Sequence, residues 1–169
     1  MRPATISAPW TGASTEKEDL TIYFLIDCSG SMKFNRDAKL NYARKMAAAL
    51  GYIGLCNQDR VSFVAFNDRI VRRMPATSGR GQVFKVFRFL EELSGEGSTS
   101  FEDAFKSFAG QNRRRGLAVV ISDFQNPAGF ENALNFLHYQ QFETYVVHVL
   151  DESEWDPGAR GDIALVDVE

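Results

Sequence analysis

The chain is short of the side chains that most soft-metal sites and nucleophile sites use, with two cysteines and two histidines among 169 residues. Cys28 and Cys56 fit neither a Cys-x-x-Cys motif nor a disulfide framework, so the expected setting is reducing and cytoplasmic. Cys28 has no histidine near it in sequence to act as a base and reads as a small core residue. An excess of either charge is also missing: 19 basic residues face 22 acidic ones, for a formal net charge of −3. That balance implies neither the footprint of a nucleic-acid binder nor an acidic tail. Arg113–Arg115 is the one basic cluster, and it reads as a solvated loop. No stretch reaches the roughly 18 apolar residues of a membrane span, and the N-terminus lacks the apolar core of a signal peptide. A Gly-x-x-x-x-Gly-Lys-Ser/Thr loop is absent, and Gly30 alone is too little for a Gly-x-Gly-x-x-Gly phosphate cradle. No internal repeat is visible.

What remains is a chain of one-domain length with a 44% apolar share and 14 phenylalanines. Residues 1–19, rich in Pro, Thr, Ser and Ala, read as a linker or N-terminal arm, and 20–169 as the folded domain. "LTIYFLI" (20–26) and "GLAVVIS" (116–122) are unbroken apolar runs, as strands buried on both faces require. "RVSFVAF" (60–66), Asn67-Asp68 and "RIVRRM" (69–74) predict a hairpin with a polar edge strand. Further strands are expected in "FETYVVHVL" (142–150) and "DIALVDVE" (162–169). Helices are predicted over 37–54, stopped by Gly51 and Gly54, and over 81–93, with Val83, Val86, Phe87, Leu90 and Leu93 on one face and Phe84 and Phe89 widening the stripe. Two more are expected over 101–110, capped by Ser100 or Thr99, and over 128–141. Strands alternating with helices predict a Rossmann-like three-layer α/β sandwich with a mostly parallel central sheet and one antiparallel edge strand.

In open α/β sheets, ligands bind beyond the carboxyl ends of the strands, where strand order reverses. Two apolar strands end there in aspartate: "FLID" in Asp27 and "VVISD" in Asp123. If these strands are neighbours, their carboxylates face each other. "DCSGS" adds Ser29 and Ser31, and "GSTS" brings Thr99 to a helix start at the same edge. Asp, Ser and Gly are also ordinary turn residues, so "DCSGS" alone is ambiguous. Five oxygen donors with no imidazole or thiolate suit Mg²⁺, or Mn²⁺ in its place, over Zn²⁺. Three of these donors are neutral hydroxyls, which would leave the ion with charge to offer an outside carboxylate. The rim is expected from Lys33–Asp37, Glu96–Ser98 and Phe124–Gly129.

"DCSGSM" resembles the Asp-x-Ser-x-Ser motif of von Willebrand factor A (vWA) domains, the metal-ion-dependent adhesion site. "GSTSFEDAF" is similar to that family's Thr loop, and "VVISDF" to the strand that supplies the distal Asp. The resemblance covers about residues 20–150. It implies a vWA fold, with Ser29, Ser31 and Thr99 as hydroxyl ligands and Asp27 and Asp123 holding the ion directly or through water. A narrower resemblance rests on "RRRGLAVVISDF", "VVHVLDESEWDP" and "GDIALVDVE". These are similar to the bacterial family called domain of unknown function fifty-eight. That family's members are typically encoded beside MoxR-type AAA+ ATPases and act with them in assembling or activating other complexes. The usual front segment of that family is not clearly present in residues 1–19. By this resemblance the native chain can be longer and membrane-attached.

Two functions compete. One is a non-enzymatic interaction module that captures an Asp or Glu of a protein partner, a MoxR-type ATPase or its client. The other is a Mg²⁺-dependent hydrolase or phosphoryl-transfer enzyme, which needs a base or nucleophile near the metal; no well-placed histidine or lysine is evident. An inert scaffold is a third reading, against which the intact set of five oxygens stands. His148, inside an apolar strand, reads as core, and His138 as helix surface. Asp151, Glu152 and Glu154 follow a strand end and read as a solvated loop.

Overall fold

The run Thr21–Asp27 forms β1, and almost every side chain along it is buried. Its β-branched and aromatic residues suit a strand with a core on each side. In the computed structural model, which describes residues 21–155, β1 is the middle strand of a five-stranded sheet. The other strands are β2 (Arg60–Phe66), β3 (Ile70–Thr77), β4 (Leu117–Ser122) and β5 (Glu143–His148), and the order is β3-β2-β1-β4-β5. β1 pairs in parallel with both β2 and β4, β4 in parallel with β5, and β3 runs antiparallel on the edge. This is the expected mixed sheet. The final strand expected over 162–169 and the arm over 1–19 lie outside the described residues.

The period of two along each strand divides the core into two halves. Phe24, Ile26, Phe63 and Ile121 point to one face, where α1 (Phe34–Cys56) and α2 (Val83–Glu91) cover them. Tyr23, Leu25, Phe66 and Val120 point to the other, covered by α3 (Phe101–Gln111) and α4 (Glu131–Tyr139). Much of the phenylalanine content sits in this second half: Phe66, Phe101 and Phe105 meet edge-on or tilted with centroids 5.4–5.8 Å apart. Such pairs add about 0.5–1.5 kcal/mol each beyond burial.

Three details depart from expectation. Gly51 and Gly54 do not stop α1; the helix runs through them to Cys56. They are spacers, because a Cβ on Gly51 would lie 2.5 Å from the Phe63 ring. On α2, Phe87 and Phe84 are exposed, while Phe89 is buried beside Val86 and Leu90. The helix has turned toward Phe63, whose ring centroid lies 6.2 Å from that of Phe89. His148 is exposed rather than core, because β5 is an edge strand among the described residues, with four of its six residues exposed. Among the described residues no helix is long and apolar enough to cross a membrane.

Candidate metal centre

Strand order reverses on either side of β1, since the chain moves from β1 to β2 in one direction and returns to β4 in the other. The crevice between the carboxyl ends of β1 and β4 is therefore the topological switch point, where this sheet class binds ligands. Asp27 is the last residue of β1, and Asp123 follows the last residue of β4.

The loop after β1 is tied down by its backbone. Cys28 N–H donates to the Phe66 carbonyl at 2.7 Å, and Gly30 N–H to the Gly97 carbonyl at 2.7 Å. Glu96 N–H donates back to the Cys28 carbonyl at 2.8 Å. The loop over 94–100 thus lies directly on the first loop. A Cβ on Gly95 would stand 2.9 Å from the Ser29 carbonyl oxygen, so this close approach needs glycine.

The side chains form a chain of hydrogen bonds. Asp27 Oδ1 accepts from Ser29 N–H at 2.8 Å, and Oδ2 accepts from the Ser122 hydroxyl at 2.5 Å. Ser29 Oγ and Ser31 Oγ lie 3.0 Å apart, and the Ser31 hydroxyl donates to Asp123 Oδ1 at 3.2 Å. Asp27, Ser29, Ser31 and Asp123 are thus assembled at one place, though they span 97 positions of sequence. Thr99 is half-buried, one residue before Ser100, whose hydroxyl accepts from Asp103 N–H to cap α3. No hydrogen bond joins the Thr99 hydroxyl to the other four.

Two participants went unnoticed in the sequence. Ser122 both donates to Asp27 and accepts from Phe124 N–H at 2.9 Å, so it joins the two strand ends. Phe124 has a left-handed backbone (φ 55°), sparsely populated for a residue with a side chain. Its ring is held by Phe101, stacked at 5.5 Å, and Phe130 at 4.8 Å, which fixes the turn that carries Asp123.

The other is Lys39. Its side chain is 1% exposed, and its ammonium donates to Asp123 Oδ2 at 2.7 Å and to Glu154 Oε1 at 2.6 Å. A lysine does stand at this site, contrary to expectation, but its proton is held between two acids. Burial alone would lower its pKa, yet the hydrogen bonds from Lys39 to Asp123 and Glu154 outweigh that and raise it. A signal existed: Lys39, Ala43 and Ala47 recur every four residues on the buried face of α1. Glu154 lies on α5 (Glu152–Trp155), a single turn after β5, and also accepts from Gln125 Nε2 and Asp151 N–H at 2.8 Å each. The segment expected to be a solvated loop therefore reaches back to the site. Asp151 meets it from the other side, accepting from Asn35 Nδ2 at 3.0 Å.

The donor chemistry fits a small hard cation. Among the described residues no group of three or more His, Cys, Asp or Glu side chains could hold a metal, so an ion here would need the hydroxyls. Asp27 is fully buried, and no basic side chain among the described residues pairs with it. Burial pushes its pKa up to about 6, against the hydrogen bonds from Ser122 and Ser29. A buried carboxylate without a counter-charge, beside two hydroxyls and a second carboxylate, suits Mg²⁺ or Mn²⁺ better than Zn²⁺. Cys28 points away from such chemistry: burial pushes its thiol up to about 12.

The profile of the family described as "Protein of unknown function DUF58" matches residues 2–169. The chain belongs to this family. This DUF58 chain is 26% identical over 156 residues to the uncharacterized protein Rv1480 of Mycobacterium tuberculosis, covering 89% of its own length and 49% of the relative. It is 31% identical over 104 residues to the uncharacterized protein MAV169 of Mycobacterium avium, covering 57% of this chain and 59% of that one. The chain thus spans about half the length of the curated relatives it matches. Among solved structures, an aerotolerance-related membrane protein from Bacteroides fragilis superposes with a TM-score of 0.60 at 24% identity, over 77% of this chain and 67% of that one. BatB from Bacteroides thetaiotaomicron gives 0.61 at 18%, over 76% and 66%. A von Willebrand factor type A protein from Catenulispora acidiphila gives 0.56 at 16%, over 76% and 32%. The fold is that of a vWA domain, as the sequence resemblance implied.

Proposed function

We propose that this DUF58 domain is a non-enzymatic protein-interaction module. It binds Mg²⁺ or Mn²⁺ through Asp27, Ser29, Ser31, Thr99 and Asp123, and captures an Asp or Glu side chain of a protein partner. The supporting observation is the joining of Asp27, Ser29, Ser31 and Asp123 by hydrogen bonds at the sheet's switch point. Charge allows one acidic ligand beside the ion. Asp27, Asp123 and Lys39 together carry one net negative charge, which a divalent cation would turn into one net positive charge. Glu154, paired with Lys39, supplies the balancing carboxylate, and an outside carboxylate would take its place. The family resemblance extends the proposal to a MoxR-type ATPase or its client as partner. The B. fragilis neighbour is described as a membrane protein, which supports membrane attachment of a longer native chain.

Hydrolysis or phosphoryl transfer is the weaker reading, because Lys39 is tied to two carboxylates and Cys28 is buried, leaving neither free to act as base or nucleophile. Thermal melting with Mg²⁺ against chelator tests the binding reading. A ligand at 100 times its Kd adds about 2.7 kcal/mol to the native state. The melting temperature should rise with metal in the parent and stay level in Ser29→Ala. No rise in the parent defeats the proposal.

A further inference from the structure

Lys39 and Glu154 have no place in the five-oxygen metal set, yet they form the most deeply enclosed ion pairs among the described residues. A lysine ammonium with a 1% exposed side chain is costly to desolvate, and here it is satisfied by one acid of the site and one from outside it. The outside acid is partly exposed, at 19%, and its element is a single helical turn. Its other ties are one glutamine side chain, Gln125, and one backbone amide within its own turn, Asp151 N–H. It is therefore the member of the pair that can leave. The segment facing it, Asn35–Asp37, has three consecutive left-handed residues without glycine, and Asn35 binds Asp151.

We propose that Lys39 is a second acid-recognition residue of this site, and that Glu154 occupies the place of the partner's carboxylate until the partner arrives. This rests on the acid-capture reading above. Asp123 is shared: Oδ1 takes the Ser31 hydroxyl and Oδ2 takes Lys39. With a cation held by the five oxygens, an incoming carboxylate would have both the ion and the Lys39 ammonium to answer its charge, which a hydroxyl or amide ligand would not match. Charge makes the two occupants exclusive. With a divalent ion bound, one carboxylate neutralises the group, and a second one beside it would be left without a counter-charge. Partner binding thus releases the Asp151–Trp155 turn.

The test uses the 169-residue chain, acetate as the carboxylate probe, and Mg²⁺ or Mn²⁺. Glu154→Gln removes the internal carboxylate and keeps the side chain's size. With Mg²⁺ present, acetate should bind the variant about tenfold more tightly than the parent, the factor set by one competing charge-assisted hydrogen bond. In chelator, acetate should still shift the Lys39 Nζ resonance of the variant and leave that of the parent unmoved. Equal acetate affinity in parent and variant under both conditions overturns the proposal. The underlying metal reading is judged separately, by Mn²⁺-induced relaxation of water protons. Its absence defeats that reading, while the chelator arm still decides for or against Lys39. Should Glu154→Gln not fold, amide exchange in the parent decides. Saturating acetate and Mg²⁺ should speed exchange at Asp151, whose N–H is donated to Glu154, and unchanged protection there refutes displacement.

Discussion

The two aspartates at the head of the sheet are neighbours with opposite surroundings. Asp27 is held only by uncharged donors, the Ser122 hydroxyl and the Ser29 amide. Asp123 is held by a hydroxyl, the Gln125 amide and the Lys39 ammonium. Both are buried, but one charge is compensated inside the chain and the other is not. The site is asymmetric: at the β4 end the Asp123 charge is paired with Lys39, and at the β1 end the Asp27 charge has no basic partner among the described residues. On the proposed reading, a cation near Asp27 would relieve a cost that Lys39 already relieves at Asp123.

The sharpest way to break this comparison is to remove the compensation. Lys39→Met leaves Asp123 buried without its counter-charge and should cost about 3–5 kcal/mol in urea unfolding. Adding Asp123→Asn should recover a large part of that loss. If the single variant costs less than about 1 kcal/mol, the pair is not what stabilises the β4 side.

The next effect is on the β1 side and has the opposite sign. Burial raises the Asp27 pKa from 3.8 to about 6, so in metal-free protein the native state holds this proton more tightly than the unfolded chain. Its contribution to stability is full below about pH 4 and is lost as pH rises through about 6. Just over two pKa units correspond to a loss on the order of 3 kcal/mol by pH 7–8. Asp27→Asn should abolish this loss, making the metal-free variant more stable than the parent at pH 8, and should remove the response to Mg²⁺. A parent whose stability rises between pH 4 and 7, with the variant less stable, would place a counter-charge at Asp27 after all.

The smallest effect probes the joint between the sides. Ser122→Ala removes the donor to Asp27 and the acceptor for Phe124 N–H, and should cost about 1–3 kcal/mol. Its cost should shrink in the Asp27→Asn background, measured as a double-mutant cycle, because a charge no longer depends on the bond. Simple additivity would show that the two residues act independently.

Much of this molecule was legible along the chain because local rules and global packing agree. Apolar runs such as 20–26 and 116–122 are strands covered on both faces, and Asn67-Asp68 turns the hairpin, as composition implied. The rule for strand ends put Asp27 and Asp123 at the same edge of the sheet, and the pairing of β1 with β4 in the structure made them neighbours. Helix faces were read less well where one residue type serves two purposes. Gly51 looked like a stop and is a spacer against Phe63, and Phe87 looked buried while Phe89 is.

By itself the sequence determined the alternation of elements, the class of sheet and the two acid-ended strands, because hydrophobic period and strand-end chemistry are local properties. Only the tertiary structure decided that Lys39 and Glu154 belong with them. Lys39 is 84 residues from Asp123 and 115 from Glu154, and no local pattern relates them. Their pairing exists because α1 is pressed against the sheet by its alanine face and the turn after β5 returns over its start. Burial then makes an ion pair of charges that, on an isolated helix and an isolated turn, water would have kept apart.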